Sequence, residues 1–497
     1  MTSEPTVRVE DLTFSYPPPE PGFPTTAVFS GLALRLDRGE SLTVAGGSGR
    51  GKSTLCYVLA GLAPRYTGGE SEGRVLVAGR DVIANLPGPD GVGLLFQDAA
   101  TQLFNPTVEL EVAWGLETLA LPPALIGERV GAALRRFDLE ALRERAPWAL
   151  SGGEQKRVAL AALWAMQPRV LLLDEALGGL DPQGRREVRG ALDLLRVEGT
   201  TLLFTASLLQ HADLSPVVAL FEEGQLSPAL PLATLQDDRA HLSDVGLAFP
   251  PETLARLAES HRAVGTEPAL EMRALTYAYP EGPGVLESVD LSIPQGQFVA
   301  LVGRNGAGKS TLLRHFNGLL RPTSGSVSVM GERAAHRAVG ELARRVGYLF
   351  QRPEQQLFAQ TVRAEIAYGP RQLGLSAIEA RVEQALHRFD LVEVAERPPA
   401  VLGYGTQRSV ALAALAALET PVLVLDEPTV GLDGRGWAQL LGWMAERRAA
   451  GVTLIVATHE MELAALADRV LVLQEGHIVA DGSPAQIVSD FSGAAPA

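Results

Sequence analysis

Cysteine and lysine are nearly missing from this chain. A single cysteine, Cys56, stands in 497 residues, which excludes an internal disulfide and a thiolate zinc cage and suits a reducing compartment. That residue is expected in the core. Only three lysines occur, Lys52, Lys156 and Lys309, so arginine carries nearly all the positive charge. The formal net charge of −15 argues against holding long nucleic acid by phosphate neutralisation. Long apolar runs are missing too, since nothing approaches the roughly 18 residues a membrane span needs. The longest reach, about Val410 to Leu425, is broken by Glu419, Thr420 and Pro421, and is predicted as a buried helix leading into a buried strand. Glu4 and Glu10 stand near the N-terminus with no apolar stretch behind them, so no signal peptide is predicted and the chain is expected to be soluble.

What the chain has is repetition. Its length exceeds one ordinary core and suits two domains of roughly 200 to 250 residues, and 46% hydrophobic with 20% charged residues is globular composition. GGSGRGKST at 46–54 returns as GRNGAGKST at 303–311, FQDAATQLF at 96–104 as FQRPEQQLF at 350–358, LLLDEALGGLD at 171–181 as LVLDEPTVGLD at 423–433, and TLLFTAS at 201–207 as TLIVATH at 453–459. Order is kept, and the spacing drifts only from 257 (Lys52 to Lys309) to 254 (Gln97 to Gln351) and 252 (Asp174 to Asp426). This is a duplicated domain, with the first copy placed at 6–235, a linker at 236–267 and the second copy at 268–490. Each copy alternates short β-branched or leucine-rich runs with helical stretches, the pattern of a mostly parallel sheet flanked by helices.

Both glycine-rich stretches fit G-x-x-x-x-G-K-[ST], each between a strand-like run (Ser41 to Ala45; Phe298 to Val302) and an apolar helix. Such a loop curls its backbone N–H groups around phosphates, with the helix N-terminus adding its positive dipole end. The phosphate-binding residues are therefore Gly46, Gly47, Ser48, Gly49, Arg50, Gly51, Lys52, Ser53 and Thr54 in the first copy. In the second they are Gly303, Arg304, Asn305, Gly306, Ala307, Gly308, Lys309, Ser310 and Thr311. Lys52 and Lys309 reach the terminal phosphates, and Ser53 and Ser310 ligate magnesium, so ATP and Mg2+ are the expected cofactors. The runs ending in Asp174–Glu175 and Asp426–Glu427 are predicted as buried strands. Buried carboxylates need a compensating charge, and a magnesium nucleotide supplies one. Asp174 and Asp426 would orient the metal's water shell, and Glu175 and Glu427 would polarise the attacking water.

Between these motifs lies LSGGEQKR at 150–157, and with it the chain resembles the ATP-binding-cassette family, whose signature is LSGGQ. The resemblance covers nearly all of the chain except the linker. It implies an α/β fold of two P-loop NTPase domains, each a RecA-like core with an α-helical subdomain and an antiparallel β subdomain. It implies also that the two cassettes face head to tail, each ATP lying between one phosphate loop and the other copy's signature. Carried over by position, Ser151, Gly152, Gly153 and Glu154 form a signature that binds nucleotide. Gln97 and Gln351 link magnesium to the membrane partner, and Asp181 and Asp433 cross the dimer interface. Tyr16 and Tyr279 look like the aromatics that stack on adenine; as plain strand aromatics they would instead belong to the core.

FQDAATQLF and FQRPEQQLF resemble the ATPases of energy-coupling-factor and cobalt-type importers, which take up vitamins or transition-metal ions through a membrane-embedded coupling protein and a substrate-capture protein. The resemblance places the chain peripherally on the cytoplasmic face of the cell membrane. Residues 97–104 and 351–358 would receive the coupling protein's helices, unless Leu103, Phe104, Leu357 and Phe358 simply pack inside the helical subdomain.

Departures from the family pattern divide the two sites. The second signature reads LGYGTQRS at 402–409, so Gly403 stands for Ser151 and Tyr404 for Gly152. In the first copy Ser207 replaces the family's switch histidine, while His459 is kept in the second. Head-to-tail pairing puts both losses on the site of Lys52, Glu175 and Ser207, and leaves the site of Lys309, Glu427, His459 and Gln351 complete. One slow and one competent site are expected. ATP binding would close the pair and push the coupling protein, and hydrolysis at the competent site would reopen it. The alternative is a soluble tandem-cassette translation factor acting on the ribosome. Such factors typically carry two good signatures and a basic helical linker, whereas this linker is acidic to neutral. A DNA-repair cassette would need zinc-binding cysteines that one cysteine cannot supply.

Overall fold

A computed structural model describes residues 4–18, 25, 27–85, 91–260, 264–280 and 282–487. The spans expected above include positions outside these, among them 261–263 of the linker and 488–490 at the end of the second domain. The chain divides into two units, Met1–Ala248 and Phe249–Ala497.

In the first unit the strand Ser41–Ala45 lies inside a sheet ordered Gln225–Leu226, Val217–Glu222, Ser41–Ala45, Thr201–Ala206, Val170–Leu173, Val92–Leu95. All pairings are parallel except those at the Val217–Glu222 edge, where Gln225–Leu226 and Leu230–Pro231 add antiparallel. Val170–Leu173 and Thr201–Ala206 are buried at every position, as continuous apolar strands must be when both faces of a parallel sheet are covered. One cover is an antiparallel sheet in which Val7–Ser15 lies between Ala27–Leu36 and Glu70–Val77. Its inward residues Val7, Val9, Leu12 and Phe14, with a register shift between Val9 and Leu12, pack with Leu42, Val44, Leu55 and Leu59. On another side the helices Val108–Thr118, Pro123–Arg136 and Gly152–Ala165 share a core with Leu171, Leu173 and Leu192. Cys56 is buried, as expected.

The second unit repeats this plan. Its sheet runs Val346–Leu349, Val422–Asp426, Thr453–Ala457, Phe298–Val302, Arg469–Gln474, parallel throughout, with His477–Gly482 antiparallel at the edge. Pro268–Ala278, Gly284–Pro294 and Ser324–Val329 form the antiparallel layer. The reach from Val410 to Leu425 is, as predicted, a buried helix, Tyr404–Ala416, leading into the buried strand Val422–Asp426.

The span 236–267 is shared between the units. Leu242 and Leu247 pack with Ala45, Ala206 and Leu220 of the first, and the carbonyl of Val245 accepts a hydrogen bond from Gly47 at 3.0 Å. The helix Pro251–Glu259 belongs to the second, where the buried Arg448 donates to the Leu257 carbonyl at 3.0 Å and Phe249 stacks on Trp437 at 5.1 Å.

Candidate functional site

In both units the glycine-rich loop leaves the carboxyl end of an inner parallel strand and feeds directly into a helix, Lys52–Leu59 or Lys309–Arg314. The residue before each lysine needs glycine. Gly51 has φ 105 and a Cβ there would lie 2.6 Å from Val28 Cγ1; Gly308 has φ 100 and a Cβ would lie 3.2 Å from the Val285 carbonyl. Lys52 Nζ donates to Gly46 O at 2.8 Å and Gly47 O at 2.9 Å, and Lys309 Nζ to Gly303 O at 2.7 Å and Arg304 O at 3.2 Å. Each ammonium is thus held at the centre of its own loop. Ser53 and Ser310 sit beside the lysines in the first helical turn.

Tyr16 and Tyr279 occupy matching places. Each hydroxyl is 3.1 Å from the hydroxyl of Thr54 or Thr311, and each ring meets its strand neighbour, Phe14 or Tyr277, edge-on at 5.0 Å. Tyr16 is half-buried against the first unit's core, and Tyr279 is 39% exposed. The remainder of the two loops, Ser48, Gly49 and Arg50, and Asn305, Gly306 and Ala307, forms the arch between strand and helix.

The carboxylates follow the same geometry, then diverge. Asp174 and Asp426 are buried, and the glutamates after them both have φ 48, a left-handed backbone that a non-glycine residue adopts only when its surroundings impose it. In the first unit Thr205 donates to Asp174 Oδ1 at 2.5 Å and accepts from the Glu175 N–H at 3.0 Å. Ser207 donates to Glu175 Oε1, and Gln97 Nε2 reaches Glu175 Oε2 at 3.4 Å. Burial pushes the Glu175 carboxyl up and Asp174 adds to it, against the pull of Lys52 and the Ser207 hydroxyl.

In the second unit Ala457 stands where Thr205 would be, and Asp426 Oδ1 has no hydrogen-bond partner among the described residues. Burial raises Asp426 to about 6, opposed by the Ser310 hydroxyl and Lys309. His459 Nδ1 stands 2.8 Å from Glu427 Oε2 and its Nε2 3.2 Å from Glu460 Oε1. The imidazolium thus stands between two carboxylates as a buried ion pair. Burial alone would raise Glu427, but His459 and Lys309 outweigh it and bring the carboxyl down. Burial likewise opposes the imidazolium, and the Glu427 and Glu460 carboxylates overcome it, raising His459.

The signature stretches also differ. Ser151 caps the helix Gly152–Ala165 in a two-way box: its hydroxyl and backbone N–H donate to Glu154 Oε2 at 2.7 and 2.8 Å, and the Glu154 N–H returns to Ser151 Oγ at 3.4 Å. Gly153 lies just inside, with a built Cβ 3.7 Å from Gly184. Gly403 caps its helix with no side-chain bond. Asp181 and Asp433 cap the next helices, accepting from Gly184 at 2.7 Å and Gly436 at 2.9 Å.

The stretches after Gln97 and Gln351 expose their phenylalanines, Phe104 by 59% and Phe358 by 65%, while Leu103 and Leu357 are half-buried. Phe104 meets Trp114 edge-on at 5.3 Å and Phe358 meets Tyr368 at 4.7 Å. Buried glutamates hold both loops, Glu111 accepting from Phe104 N and Asn105 N and Glu365 from Phe358 N and Ala359 N, all at 2.7 to 2.9 Å. Sequence reasoning missed Glu111, Glu365, Trp114 and Tyr368, and also Thr205 and Tyr348, whose hydroxyl lies 3.4 Å from Asp426 Oδ2. The threonine left a trace, since TLLFTAS and TLIVATH differ at that position.

Two phosphate-loop units, each ending a buried strand in an Asp-Glu pair beside a lysine, define a tandem nucleotide hydrolase. The family described as ABC transporter matches residues 29–178 and again 286–430, and the chain belongs to that family. It binds ATP and is an ATPase of the transporter type. It is 33% identical to a protein of Methanosarcina acetivorans provisionally named an ABC transporter ATP-binding protein, over 98% of this chain and 87% of that one. A Streptomyces coelicolor protein with the same kind of name is 34% identical over 97% and 94%. YkoD of Bacillus subtilis, provisionally named an HMP/thiamine import ATP-binding protein, is 32% identical over 98% and 93%. Among the described residues no helix is long and apolar enough to cross a membrane.

Proposed function

We propose that this chain is the energy-coupling ATPase of a membrane importer of the energy-coupling-factor kind, carrying a vitamin or transition-metal ion, with one competent and one degenerate composite ATP site. The observation that carries the asymmetry is the company of the second carboxylate. Glu427 faces the His459 imidazolium at 2.8 Å and is held ionised by it, whereas Glu175 is taken up by Ser207 and Gln97. In the competent site Tyr279 stacks on the base, the 303–311 loop holds the phosphates, and Ser151, Gly152 and Gly153 complete it from the other unit's signature. Glu427 accepts a proton from the attacking water and His459 stabilises the charge that develops.

Magnesium fits the residues present, because a buried carboxylate oxygen without a donor, Asp426 Oδ1, beside Ser310 is a hard-oxygen donor set. Asp426, Ser310 and Gln351 would hold it, and Asp174, Ser53 and Gln97 in the other unit; bound there it neutralises phosphate charge. The import assignment is supported by the relative named for HMP/thiamine import. The membrane partner is supported by the exposed aromatic pairs Phe104–Trp114 and Phe358–Tyr368, whose loops are pre-set by buried glutamates and so offer an anchor that needs little ordering on binding.

The decisive experiment pairs Glu427→Gln with Glu175→Gln. The first should remove nearly all ATP turnover, by at least ~100-fold, and the second should leave most of it; equal losses reject the asymmetry. Phe104→Asp with Phe358→Asp should move the chain out of the membrane fraction, and retention there rejects the docking face.

A further inference from the structure

Tyr404 does not simply intrude where a signature glycine belongs. Its ring lies over Gly431 of its own unit, where a Cβ would stand 2.3 Å from Tyr404 Cδ1 and 2.5 Å from Cε1. Its hydroxyl points to the Gln351 carbonyl at 3.5 Å. One turn along the same helix the fully buried Arg408 donates to Phe350 O at 2.6 Å, to Gln351 O, and to the Tyr404 hydroxyl at 3.2 Å, with its guanidinium carbon 5.8 Å from the tyrosine ring centroid. A buried cation persists only where its bonds are well made, and here the carbonyls of the glutamine stretch make them. The first unit is wired otherwise. Lys156, in register with Arg408, donates to the carbonyls of Glu175, Ala176 and Gly178 at 3.2, 3.0 and 2.8 Å, and a Cβ on Gly152 would meet nothing within 4 Å.

We propose that Tyr404 and Arg408 are a positioning pair that ties the start of the second signature helix to the Phe350–Gln351 stretch of the same unit, so that the substitution spoiling one signature braces the glutamine of the competent site. The helical layer and Gln351 of the second unit then move together, while Gln97 in the first unit follows Glu175. This rests on the reading above in giving Gln351 its part at the metal.

Hydrogen exchange of the full chain without nucleotide tests the tie. Tyr404→Gly should speed exchange of the amides at 350–356 about fivefold, the loss of one net hydrogen bond, and leave 96–102 unchanged. Arg408→Lys should do at least as much and Tyr404→Phe less, and these two carry the test if the glycine variant does not fold. Tyr404→Gly should also raise the Mg2+ concentration for half-maximal turnover by roughly 10-fold, the usual result of loosening a support behind a metal ligand. Faster exchange confined to 404–408, or an unmoved Mg2+ requirement, overturns the proposal. Should Glu427→Gln retain turnover, the assignment of the competent site fails instead, and the exchange data still decide whether the tie exists.

Discussion

The two units set an Asp-Glu pair at the end of the same strand, in the same left-handed backbone, and then give the glutamate opposite company. Glu175 meets hydroxyl and amide groups and its carboxyl is pushed up by burial. Glu427 is more deeply enclosed, only 2% exposed, but an imidazolium brings it down. The fold therefore decides where the carboxylate stands, and its neighbours decide whether its proton affinity is pushed up or brought down. Duplication could preserve the architecture of both sites while a serine for a histidine changed the chemistry of one.

The largest effect that would break or sharpen this contrast is expected from the histidine itself. His459→Ser makes the second unit resemble the first and should lower turnover by ~10²- to 10³-fold. Ser207→His alone should leave turnover within about twofold if, as proposed, the signature of Gly403 and Tyr404 serves that site. A steady-state ATPase assay of both variants checks this, and similar responses would mean that the two units work alike.

Stability offers the next test, since the two glutamates enter folding with opposite signs. A raised carboxyl favours the neutral acid in the fold, so Glu175 costs stability once ionised and Glu175→Gln should raise the unfolding midpoint at pH 7. Glu427 is lowered, so its contribution is present above the usual carboxylate range and is lost as pH falls through its folded value. His459 is raised to about 9, so its contribution is complete below the ordinary imidazole range and is lost as pH rises through about 9. Glu427→Gln strands that imidazolium and should cost about 1–3 kcal/mol at pH 7, several degrees of midpoint. The penalty should shrink toward pH 10, as calorimetry over pH would show. Equal midpoints for the two glutamine variants would erase the difference in company.

Much of this is legible in the amino-acid sequence. Strands Ser41–Ala45 and Phe298–Val302 lie where the apolar runs before the glycines placed them, because a buried parallel strand and a phosphate loop both have local patterns. Long-range company was not legible. Thr205 reaches Asp174 across 31 positions, and Arg408 reaches Phe350 across 58; nothing local in either residue announces its partner. The span 236–267 read as linker because of its prolines and charges, yet Leu242 and Leu247 are buried in the first unit. Leu242 lies in a short helix and Leu247 beyond its end, which is too little periodicity to be recognised as core.

The smallest expected effect separates two jobs that Ser151 could hold. Its box with Glu154 satisfies donors at a helix start, so Ser151→Ala should cost the first unit about 1 kcal/mol through the cap alone. Gly403→Ser should return only a few tenths, because replacing a glycine cap gains little and Thr406 stands where the box needs a glutamate. Ser151 Oγ now donates to Glu154 at 2.7 Å, and to reach a γ-phosphate it must give up that bond. A Ser151→Ala variant whose unfolding midpoint falls while turnover holds would make the serine a cap and no more. A fall in turnover larger than the stability loss explains would show the hydroxyl leaving its glutamate for the nucleotide, which is what sets this signature apart from one that begins with Gly403.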